Sequence, residues 1–303
     1  MSAAIESSDL TRRFGRMEAV SGLDLCVPAG SVFALIGPNG AGKTTTIKLL
    51  MNLVRPSRGM AKVLGVDSRQ IGVGELARIG YVSENQRLPD WMTPSELLDY
   101  CRPFYPTWDP DLVRKLQSDL GLVTRSRLRN LSRGTRMKAA LLASLGYRPE
   151  LIVLDEPFTG LDPLVRDELI RSLLEVSTDR PRTVFVSSHD VDEIERLAEW
   201  VGFMAEGRLV FAEPVSSVLA RFRLVEVTGE SERAPECPAN PDWLLQGRAG
   251  RTLRFVDTTH DRPDAEARIA RAFPGSSIQR TPLSLREIFV TLAVHMKERV
   301  VAP

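Results

Sequence analysis

A glycine-rich octapeptide near the start of the chain reads Gly37-Pro38-Asn39-Gly40-Ala41-Gly42-Lys43-Thr44 and matches the pattern G-x-x-x-x-G-K-[ST] at every position. Glycines allow a backbone to wrap closely around a phosphate group, with the N–H groups of the loop directed inward as donors. A buried strand is predicted before it at Ser31–Ile36, and the helix predicted after it at Lys43–Val54 adds the positive end of its dipole. This succession of strand, loop and helix predicts a site for the phosphates of a nucleotide.

Two side chains at the end of the octapeptide carry the chemistry that bound phosphate requires. Lys43 is expected to reach the β- and γ-phosphates, and the hydroxyl of Thr44 is expected to bind Mg²⁺. The alternative is a glycine turn with an incidental lysine, and the flanking strand and helix argue against it. The nucleotide-contacting residues predicted for this loop are Gly37, Pro38, Asn39, Gly40, Ala41, Gly42, Lys43, Thr44 and Thr45.

A pair of acidic residues forms the second part of the predicted site. Asp155 and Glu156 directly follow the apolar run Leu151–Leu154, which has the composition of a strand covered on both faces. The fold can bring the end of that strand back beside the glycine loop. A carboxylate at Asp155 would then hold Mg²⁺ through water, and Glu156 is placed to polarise an attacking water as a general base.

The composition narrows the class of protein. With 303 residues, the chain is long enough for about two domains. It carries 40 basic and 39 acidic residues, so it has no basic field that would attract nucleic acid, and no nucleic-acid partner is predicted. Its apolar runs are far shorter than the roughly 18 residues of a membrane span, and neither a span nor a secretory signal is expected. Three separated cysteines argue against a disulfide scaffold and a zinc site.

Strands and helices alternate through most of the chain, which predicts an α/β fold with a parallel sheet. A further buried strand is expected at Thr183–Val186, followed by a helix at Val191–Trp200. A helical block interrupts the alternation at about residues 88–148, where Thr93–Glu96 has the pattern of a capping box. Another helix is expected to start at Asp109 and to end at Gly121.

The texture of the sequence changes near Arg221, so we predict one domain over residues 1–220 and a small α/β module over residues 221–303. Residues 229–250 are polar and turn-rich. No residue of the module suggests catalysis; a regulatory or dimer-supporting role and a role in stability alone are both open. The elements predicted for it are strands at Leu224–Val227 and Thr252–Phe255 and helices at Asp264–Phe273 and Ser284–Lys297.

Over about residues 5–215 these motifs resemble the ATP-binding subunits of ABC transporters. Further elements in the order of that family carry the resemblance. They are Phe14 at the adenine-stacking position, Glu84 at the Q-loop position, Leu131-Ser132-Arg133-Gly134-Thr135 at the signature position, Gly160-Leu161-Asp162 as the D-loop and His189 as the switch histidine. The resemblance implies a P-loop NTPase with a RecA-like parallel sheet core, ATP and Mg²⁺ as ligands, and ATP hydrolysis. Glu84 would contribute to the metal site.

Several of these residues also have a physical argument of their own. Ser132 and the N–H of Gly134 open a helix, which makes an anion site. In the family that site caps the γ-phosphate of the opposite subunit, which implies a second ATP-binding subunit, most simply a copy of this chain. His189 can bond a γ-phosphate and the attacking water. Phe14 can stack on a purine ring, although a core position is the alternative.

Two departures from the family pattern leave questions open. The usual signature LSGGQ here reads LSRGT, so that Arg133 could contact phosphate, contact the D-loop across the dimer, or face solvent. The Q-loop position holds Glu84 instead of glutamine, and Gln86 lies two residues further on. Either of the two could serve as the Q-loop residue.

The segments Tyr81–Thr93 and Phe104–Asp109 resemble the ABC-2-type exporter branch, which includes drug- and peptide-antibiotic-export subunits. That likeness implies an integral-membrane permease as partner and a peripheral position at the cytoplasmic face of the membrane. In this fold the helical block contacts the permease. Aromatic residues and Met suit such a docking surface, although local packing would explain them equally well. The residues concerned are Trp91, Met92, Tyr100, Phe104, Tyr105 and Trp108.

Two other classes of protein fit parts of the sequence. One is a soluble ABC ATPase without a membrane partner, acting on ribosomes or DNA. Such proteins generally carry a second cassette with basic linkers or long coiled coils, and this chain has neither. The other is a GTPase or kinase with the same glycine loop. The register of Ser132, Gly134, Asp162 and His189 argues against it, and no N-K-x-D motif occurs.

Overall fold

Strands and helices alternate along the chain in the computed structural model, which describes residues 2–122, 125–179, 182–231 and 233–301. Up to residue 214 the elements are β1 (Ala3–Phe14), β2 (Met17–Pro28), β3 (Val32–Ile36), α1 (Lys43–Leu50), β4 (Arg58–Val63), β5 (Val66–Asp67), α2 (Val73–Leu76), β6 (Ile79–Val82), α3 (Pro94–Cys101), α4 (Pro110–Asp119), α5 (Arg133–Leu145), β7 (Leu151–Asp155), α6 (Pro163–Asp179), β8 (Thr183–Ser188), α7 (Val191–Ile194), β9 (Trp200–Ala205) and β10 (Arg208–Pro214). From residue 215 they are α8 (Val215–Arg221), β11 (Arg223–Thr228), β12 (Trp243–Ala249), β13 (Thr252–Asp257), α9 (Ala265–Ala272), β14 (Ser277–Pro282) and α10 (Leu285–Val301). Within the described ranges, every helix falls short of the length and apolar character that a membrane span requires.

The chain divides into two units, Met1–Ala212 and Glu213–Pro303. The boundary predicted from the sequence, between residues 220 and 221, falls at the end of α8. Arg221, the last residue of that helix, donates hydrogen bonds to the carboxylate of Glu213 and to the carbonyl of Thr258, and both lie in the second unit. These bonds tie α8 to the C-terminal unit, so the division comes before the helix.

A six-stranded sheet carries the predicted nucleotide site. Its strand order is β10-β9-β3-β8-β7-β6, and β3 pairs in parallel with β8 and β9, while β7 pairs in parallel with β6 and β8. Every residue of β3, β7 and β8 is buried, which accounts for their continuous apolar runs. Only β8 separates β3 from β7. The glycine loop after β3 and the two acids after β7 therefore come to the same edge of the sheet, as expected.

A second sheet completes the core of the first unit. It is antiparallel, with strand order β2-β1-β4-β5. One apolar cluster contains buried residues from both sheets and from α1, for example Ile5 of β1, Phe33 of β3 and Ile47 of α1. The rings of Phe33 and Phe185 stack within this cluster at a centroid distance of 5.7 Å. The cluster fixes α1, and with it the end of the glycine loop, against both sheets.

The helical block predicted at about residues 88–148 contains α3, α4 and α5. The expected capping box is present, because the Thr93 hydroxyl accepts from the N–H of Glu96 at 3.2 Å and the Glu96 carboxylate accepts from the N–H of Thr93 at 2.8 Å. Asp109 caps α4 by accepting from two N–H groups of its first turn. Gly121 follows α4 with a φ of 63°, which is the left-handed conformation that commonly ends a helix.

Two predicted helices end earlier than the sequence pattern indicated. α1 stops at Leu50 instead of Val54, because Asn52 adopts a left-handed conformation with a φ of 57°. The helix predicted at Val191–Trp200 forms only as α7, over Val191–Ile194. The rest of the prediction was wrong, and Trp200 begins strand β9 instead. Pairing with β3 buries five of the six residues of β9, and this tertiary contact outweighs the helical pattern.

The C-terminal unit is built on an antiparallel sheet with strand order β12-β13-β11-β14. The predicted strands and helices are present there as β11, β13, α9 and α10. The rings of Trp243, Phe255 and Phe273 meet at centroid distances of 4.6, 5.6 and 5.9 Å and form the centre of its core. The polar segment 229–250 contains β12, which the sequence did not predict. Only Trp243 and Leu244 of this edge strand are buried, so it carries little apolar pattern.

Candidate functional site

Steric constraints explain two of the glycines in the loop that follows β3. A Cβ atom on Gly37 would lie 2.0 Å from the carbonyl oxygen of Met204, and one on Gly42 would lie 2.4 Å from that of Ala19. Gly42 also has a φ of 104°, where side chains are strained, and it is the cap from which α1 begins at Lys43. Any larger residue at these two positions would push the loop away from the strands behind it.

The loop forms one wall of a cavity of about 650 Å³. Residues from six separate segments line it, including the glycine loop and the stretches that follow β6, β7 and β8. The lining residues are Met17, Glu18, Ala19, Asn39, Gly40, Ala41, Gly42, Lys43, Thr44, Thr45, Glu84, Glu156, Thr159, His189, Glu206 and Gly207. The structure thus brings together Glu84, Glu156, His189 and the predicted loop residues from Asn39 to Thr45, while Gly37 and Pro38 are not among the described residues that line the cavity.

Thr44 and Asp155 meet at the inner end of this site. The Thr44 hydroxyl donates to Asp155 Oδ1 at 3.0 Å, and the Ser187 hydroxyl donates to the same oxygen at 2.7 Å. Asp155 is 1% exposed, and burial raises the pKa of its carboxyl above the ordinary value. Oxygen atoms of this kind suit Mg²⁺. Within the described ranges no group of three or more His, Cys, Asp or Glu side chains could hold a metal, so phosphate and water would have to complete the coordination.

Glu156 is the most highly connected side chain in the cavity. Its Oε1 lies 3.1 Å from Lys43 Nζ, while its Oε2 lies 2.7 Å from His189 Nδ1 and accepts from the Thr159 hydroxyl at 3.1 Å. Burial alone would raise the pKa of Glu156, but the hydrogen bond from His189 and the charge of Lys43 outweigh it and lower that pKa. The carboxylate is thereby kept ionised, which is the form that a general base needs.

Lys43 is held by the loop that it follows. Its ammonium group is 5% exposed and donates to the carbonyl oxygens of Gly37 at 2.7 Å and Pro38 at 3.3 Å. Together with the ion pair to Glu156, these hydrogen bonds compensate the charge of a lysine side chain that is almost completely buried. The backbone of Glu156 has a φ of 50°, an unusual conformation for a residue with a side chain, and it turns this carboxylate toward the loop.

The signature segment begins helix α5. Ser132 caps it by accepting from the N–H of Thr135 at 3.1 Å, and the two hydroxyl groups lie 2.9 Å apart. Gly134 is buried, and a Cβ atom there would lie 3.0 Å from Val165 of α6. Among the described residues, those that line the cavity at the glycine loop include neither Ser132 nor Gly134. The described part of the chain thus does not bring these two predicted residues to that cavity.

The D-loop lies beside the signature segment. Asp162 accepts from the N–H of Val165 and caps α6. A Cβ atom on Gly160 would lie 3.0 Å from Arg133 Nη1, so the guanidinium of Arg133 rests on the D-loop of its own chain while the residue as a whole is exposed. The sequence left three positions open for Arg133: against phosphate, against the D-loop across a dimer, or in solvent. The structure shows it exposed to solvent and in contact with the D-loop of its own chain.

The structure distinguishes the two candidates at the Q-loop. Glu84 lines the cavity at the glycine loop and also a second cavity of about 480 Å³ at the start of α5. The side-chain oxygen of Gln86 instead accepts from the N–H of Ser83 at 3.2 Å and from its hydroxyl at 3.0 Å. Gln86 is thus bonded to its own turn and lines the second cavity, whereas of these two residues Glu84 lines the cavity at the glycine loop.

Phe14 lies at the end of the β1–β2 hairpin, opposite Met17. It is 44% exposed, and the guanidinium of Arg12 lies 4.5 Å from the centre of its ring. Among the described residues that line the cavity at the glycine loop, the hairpin contributes Met17, Glu18 and Ala19 but not Phe14. The sequence analysis missed these three, together with Thr159, Glu206 and Gly207, since only the folded chain brings them to the loop.

The aromatic residues of the helical block fall into two groups. Trp91, Tyr100 and Phe104 are 67%, 55% and 62% exposed. Tyr105 stacks on Tyr147 at a centroid distance of 3.7 Å, and Trp108 packs closely over the backbone of Gly146. The first group remains available as a docking surface, whereas the second group serves local packing. Local packing therefore explains Tyr105 and Trp108, while docking by the exposed group stays a prediction.

Comparison with known proteins identifies relatives of this chain. Residues 20–159 match the family described as ABC transporter. The bacitracin transport ATP-binding protein BcrA of Bacillus licheniformis is 32% identical over 225 residues, which are 74% of this chain and 74% of that protein. The daunorubicin/doxorubicin resistance ATP-binding protein DrrA of Streptomyces peucetius is 34% identical over 320 residues, covering 96% of this chain and 93% of the relative.

Solved structures share the fold of the first unit. An ATP-binding subunit of an ABC transporter matches with a TM-score of 0.63 and 25% identity, over 71% of this chain and 91% of the other. A dimeric ATP-binding cassette in a post-hydrolysis state, bound to ADP and phosphate, matches with a TM-score of 0.62 and 19% identity, over 70% of this chain and 98% of the other. The predicted class of α/β fold, a P-loop NTPase, is confirmed by these matches.

Proposed function

Because the chain belongs to the ATP-binding subunits of ABC transporters, an ATPase family, we propose that it powers the export of a drug, an antibiotic or another small hydrophobic or peptidic substrate. One observation carries this proposal. The likeness to the daunorubicin/doxorubicin resistance protein covers 96% of the chain and so includes the C-terminal unit. The relatives do not favour the alternative of a soluble ABC ATPase that lacks a membrane partner.

The geometry of the cavity supports a role for each part of the catalytic half. The loop N–H groups and Lys43 bind the phosphates of ATP, and Glu156 polarises the attacking water. His189, which is hydrogen-bonded to Glu156, donates a hydrogen bond to the γ-phosphate and orients the same water. Mg²⁺ would be held by Thr44, Asp155 and Glu84, and it would neutralise charge on the phosphates.

A second ATP-binding subunit completes this site. Ser132 and Gly134 open α5, where N–H groups can form an anion site, yet they are not among the described residues that line the cavity at the glycine loop of their own chain. We assign them to the γ-phosphate of a second copy, with Asp162 at the interface between the copies. The chain therefore works as a dimer, for which a homodimer is the simplest form.

The partner in transport is an integral-membrane permease. The exposed group Trp91, Tyr100 and Phe104 on the helical block offers the aromatic surface that such a partner would cover. Docking there would keep the chain at the cytoplasmic face of the membrane as a peripheral subunit.

Affinity purification from the chain's own cell tests this proposal. Membranes from cells with a tagged chain are extracted in mild detergent, and the copurifying proteins are identified. We expect a polytopic membrane protein to copurify in stoichiometric amount. Substituting Trp91, Tyr100 and Phe104 together by Ser should abolish this copurification. Recovery of the chain in the soluble fraction alone, even with Glu156→Gln to retain ATP, would favour the soluble ABC ATPase instead.

A further inference from the structure

An ion pair, called the buried pair below, joins the helix after the D-loop to the segment after the switch histidine; its carboxylate is buried and its guanidinium is half-buried. Glu193 in α7 is 3% exposed, and its Oε1 lies 3.3 Å from Nη2 of Arg166 in α6. Among the described residues, those lining the cavity at the glycine loop do not include either partner. The pair therefore lies outside the contacts with ATP that the proposed function assigns.

The second oxygen of Glu193 reaches the turn that carries His189. Its Oε2 accepts from the Ser188 hydroxyl at 2.9 Å. The same hydroxyl accepts from the N–H of Asp190 at 3.0 Å and lies 3.1 Å from the carbonyl oxygen of Asp190. Ser188 and Asp190 flank His189, so this ring of bonds closes around the backbone of the histidine. Glu193 thus fixes the turn from which the His189 side chain extends toward Glu156.

The first oxygen of Glu193 leads to the D-loop. Arg166 lies one turn into α6, and its N–H donates to the carbonyl oxygen of Asp162 at 3.1 Å. A continuous series of contacts therefore runs from Asp162 through Arg166, Glu193 and Ser188 to His189. Each step is a hydrogen bond, an ion pair or a peptide bond between residues in van der Waals reach, which is the kind of physical connection that can transmit a displacement.

Stability alone gives a poor reason for such a pair. Burial raises the pKa of Glu193, and the hydrogen bond from Ser188 and the charge of Arg166 only oppose that effect. Apolar residues of the same volume usually stabilise a protein as well as a buried ion pair does, or better. A directional contact between α6 and the turn that carries His189 is a different benefit, which apolar residues would not supply.

We propose that Arg166 and Glu193 are positioning residues that couple the D-loop helix α6 to the turn presenting His189, so that the arrangement at the interface between two copies controls the position of His189 against Glu156. This inference rests on the proposed function of His189 and of the dimer. It assigns no contact with ATP to either residue. Their effect is on turnover, through the histidine.

The same two segments provide a matched control. Arg196, which directly follows the cap of α7, pairs with Asp167 of α6 at 2.8 Å. The side chains of this control pair are 58% and 40% exposed, so water screens the interaction and it contributes little. A general need for ion pairing between α6 and this segment would affect both pairs, whereas a role for the buried pair in positioning affects only one.

Steady-state ATP hydrolysis by the full chain tests the inference. Glu193→Gln and Arg166→Gln are expected to lower kcat about tenfold, with KM for ATP within twofold, since coupling between sites is typically of this size. Asp167→Asn and Arg196→Gln should leave both constants within twofold. Arg166→Lys, which keeps the charge, should recover part of kcat. Equal losses in the buried and the exposed pair would overturn the inference.

A double variant keeps the test valid if the single variants, which leave one charge without its partner, do not fold. Arg166→Met with Glu193→Met removes both charges together, and such a replacement is generally tolerated. We expect this protein to melt near the temperature of the unchanged chain but to retain the tenfold loss of kcat. Normal kcat in the folded double variant would refute the coupling.

Two further measurements separate this inference from the proposed function. The chain has three histidines, so the ring signals of His189 can be followed by NMR with labelled histidine. We expect Glu193→Gln to shift the His189 signals and Asp167→Asn to leave them in place; unshifted signals in Glu193→Gln would contradict the inference. His189→Ala serves as the reference for kcat. If that variant hydrolyses ATP normally, the proposed role of His189 is wrong. If it loses activity while both buried-pair variants keep theirs, the coupling alone is wrong.

Discussion

The two halves of the proposed ATP site are held in different ways. In the phosphate-loop half, which comprises Gly37–Thr45, Asp155, Glu156 and His189, the side chains of Lys43 and of both acids are buried, that of His189 is 38% exposed, and hydrogen bonds and ion pairs join them within one chain. In the signature half, Leu131–Thr135, the side chain of Ser132 is exposed and bonds only within its own helix turn. Folding alone therefore assembles the first half, whereas Ser132 of the second half is left exposed, as the proposed site between two copies would require. Substitutions in the two halves should separate the binding of ATP from its turnover.

The largest effect is expected within the phosphate-loop half. Glu156→Gln removes the charge that polarises water but keeps the shape of the side chain, so hydrolysis should fall by about 10²-fold or more while ATP still binds. The variant should also collect as an ATP-dependent dimer. Turnover and nucleotide affinity are measured on the same preparation, with size-exclusion chromatography in ATP. Near-normal hydrolysis would show that Glu156 is not the general base.

Substitutions in the signature half test its dependence on a second copy. Ser132→Ala with Gly134→Asp removes a donor and forces a side chain against Val165, where even a Cβ atom would lie at 3.0 Å. We expect hydrolysis to fall by about 10- to 100-fold, while the affinity of the monomer for ATP changes little. Fluorescent-nucleotide titration at low protein concentration measures that affinity. A matched loss of affinity would place the signature in the same chain's site and erase the contrast between the halves.

The Q-loop offers a sharper comparison between two neighbouring residues. Glu84 lines the cavity, while Gln86 is bonded to Ser83. Glu84→Ala should therefore raise the Mg²⁺ concentration that half-maximal hydrolysis requires several-fold, and Gln86→Ala should not. Titration of activity with MgCl₂ at saturating ATP measures both. An increase in the Gln86 variant alone would reverse the assignment that the geometry favours.

A structural feature could be predicted from the sequence where residues close together in the chain determine it. The glycine loop, the capping box at Thr93 and the acids after β7 follow from residue types at fixed spacing, and the structure places each at the expected position in its element. Strand β9 could not be predicted, because its pairing with β3 decides it and the sequence near Trp200 also suits a helix.

The candidate site shows the same division. Lys43, Glu156 and His189 were found from motifs and meet in one cavity, whereas Met17 and Thr159 had no signal of their own. Met17 reaches the site because the β1–β2 hairpin ends beside the loop, and Thr159 because the turn after Glu156 folds back on it. Sequence patterns thus identify groups that react, and the fold adds the groups that surround them.

The smallest effect we expect distinguishes two carboxylates within the phosphate-loop half. Burial raises the pKa of Asp155, while the net effect of burial, His189 and Lys43 lowers the pKa of Glu156. A group with a lowered pKa stabilises the folded protein above its ordinary value, here 4.5, and loses that contribution as the pH falls through the folded value. A group with a raised pKa has the opposite sign, because protonation relieves its burial.

The free energy of unfolding of the unchanged chain, compared with that of Glu156→Gln, should therefore decrease as the pH falls from 7 to below 4.5. Compared with Asp155→Asn, it should increase as the pH falls, because the pKa of Asp155 is raised in the folded protein. Urea unfolding at a series of pH values measures both differences, with each variant serving as the control for the other. Differences of the same sign would mean that the two acids share one environment, and the paired Lys43–Glu156–His189 arrangement could not then be what keeps Glu156 ionised.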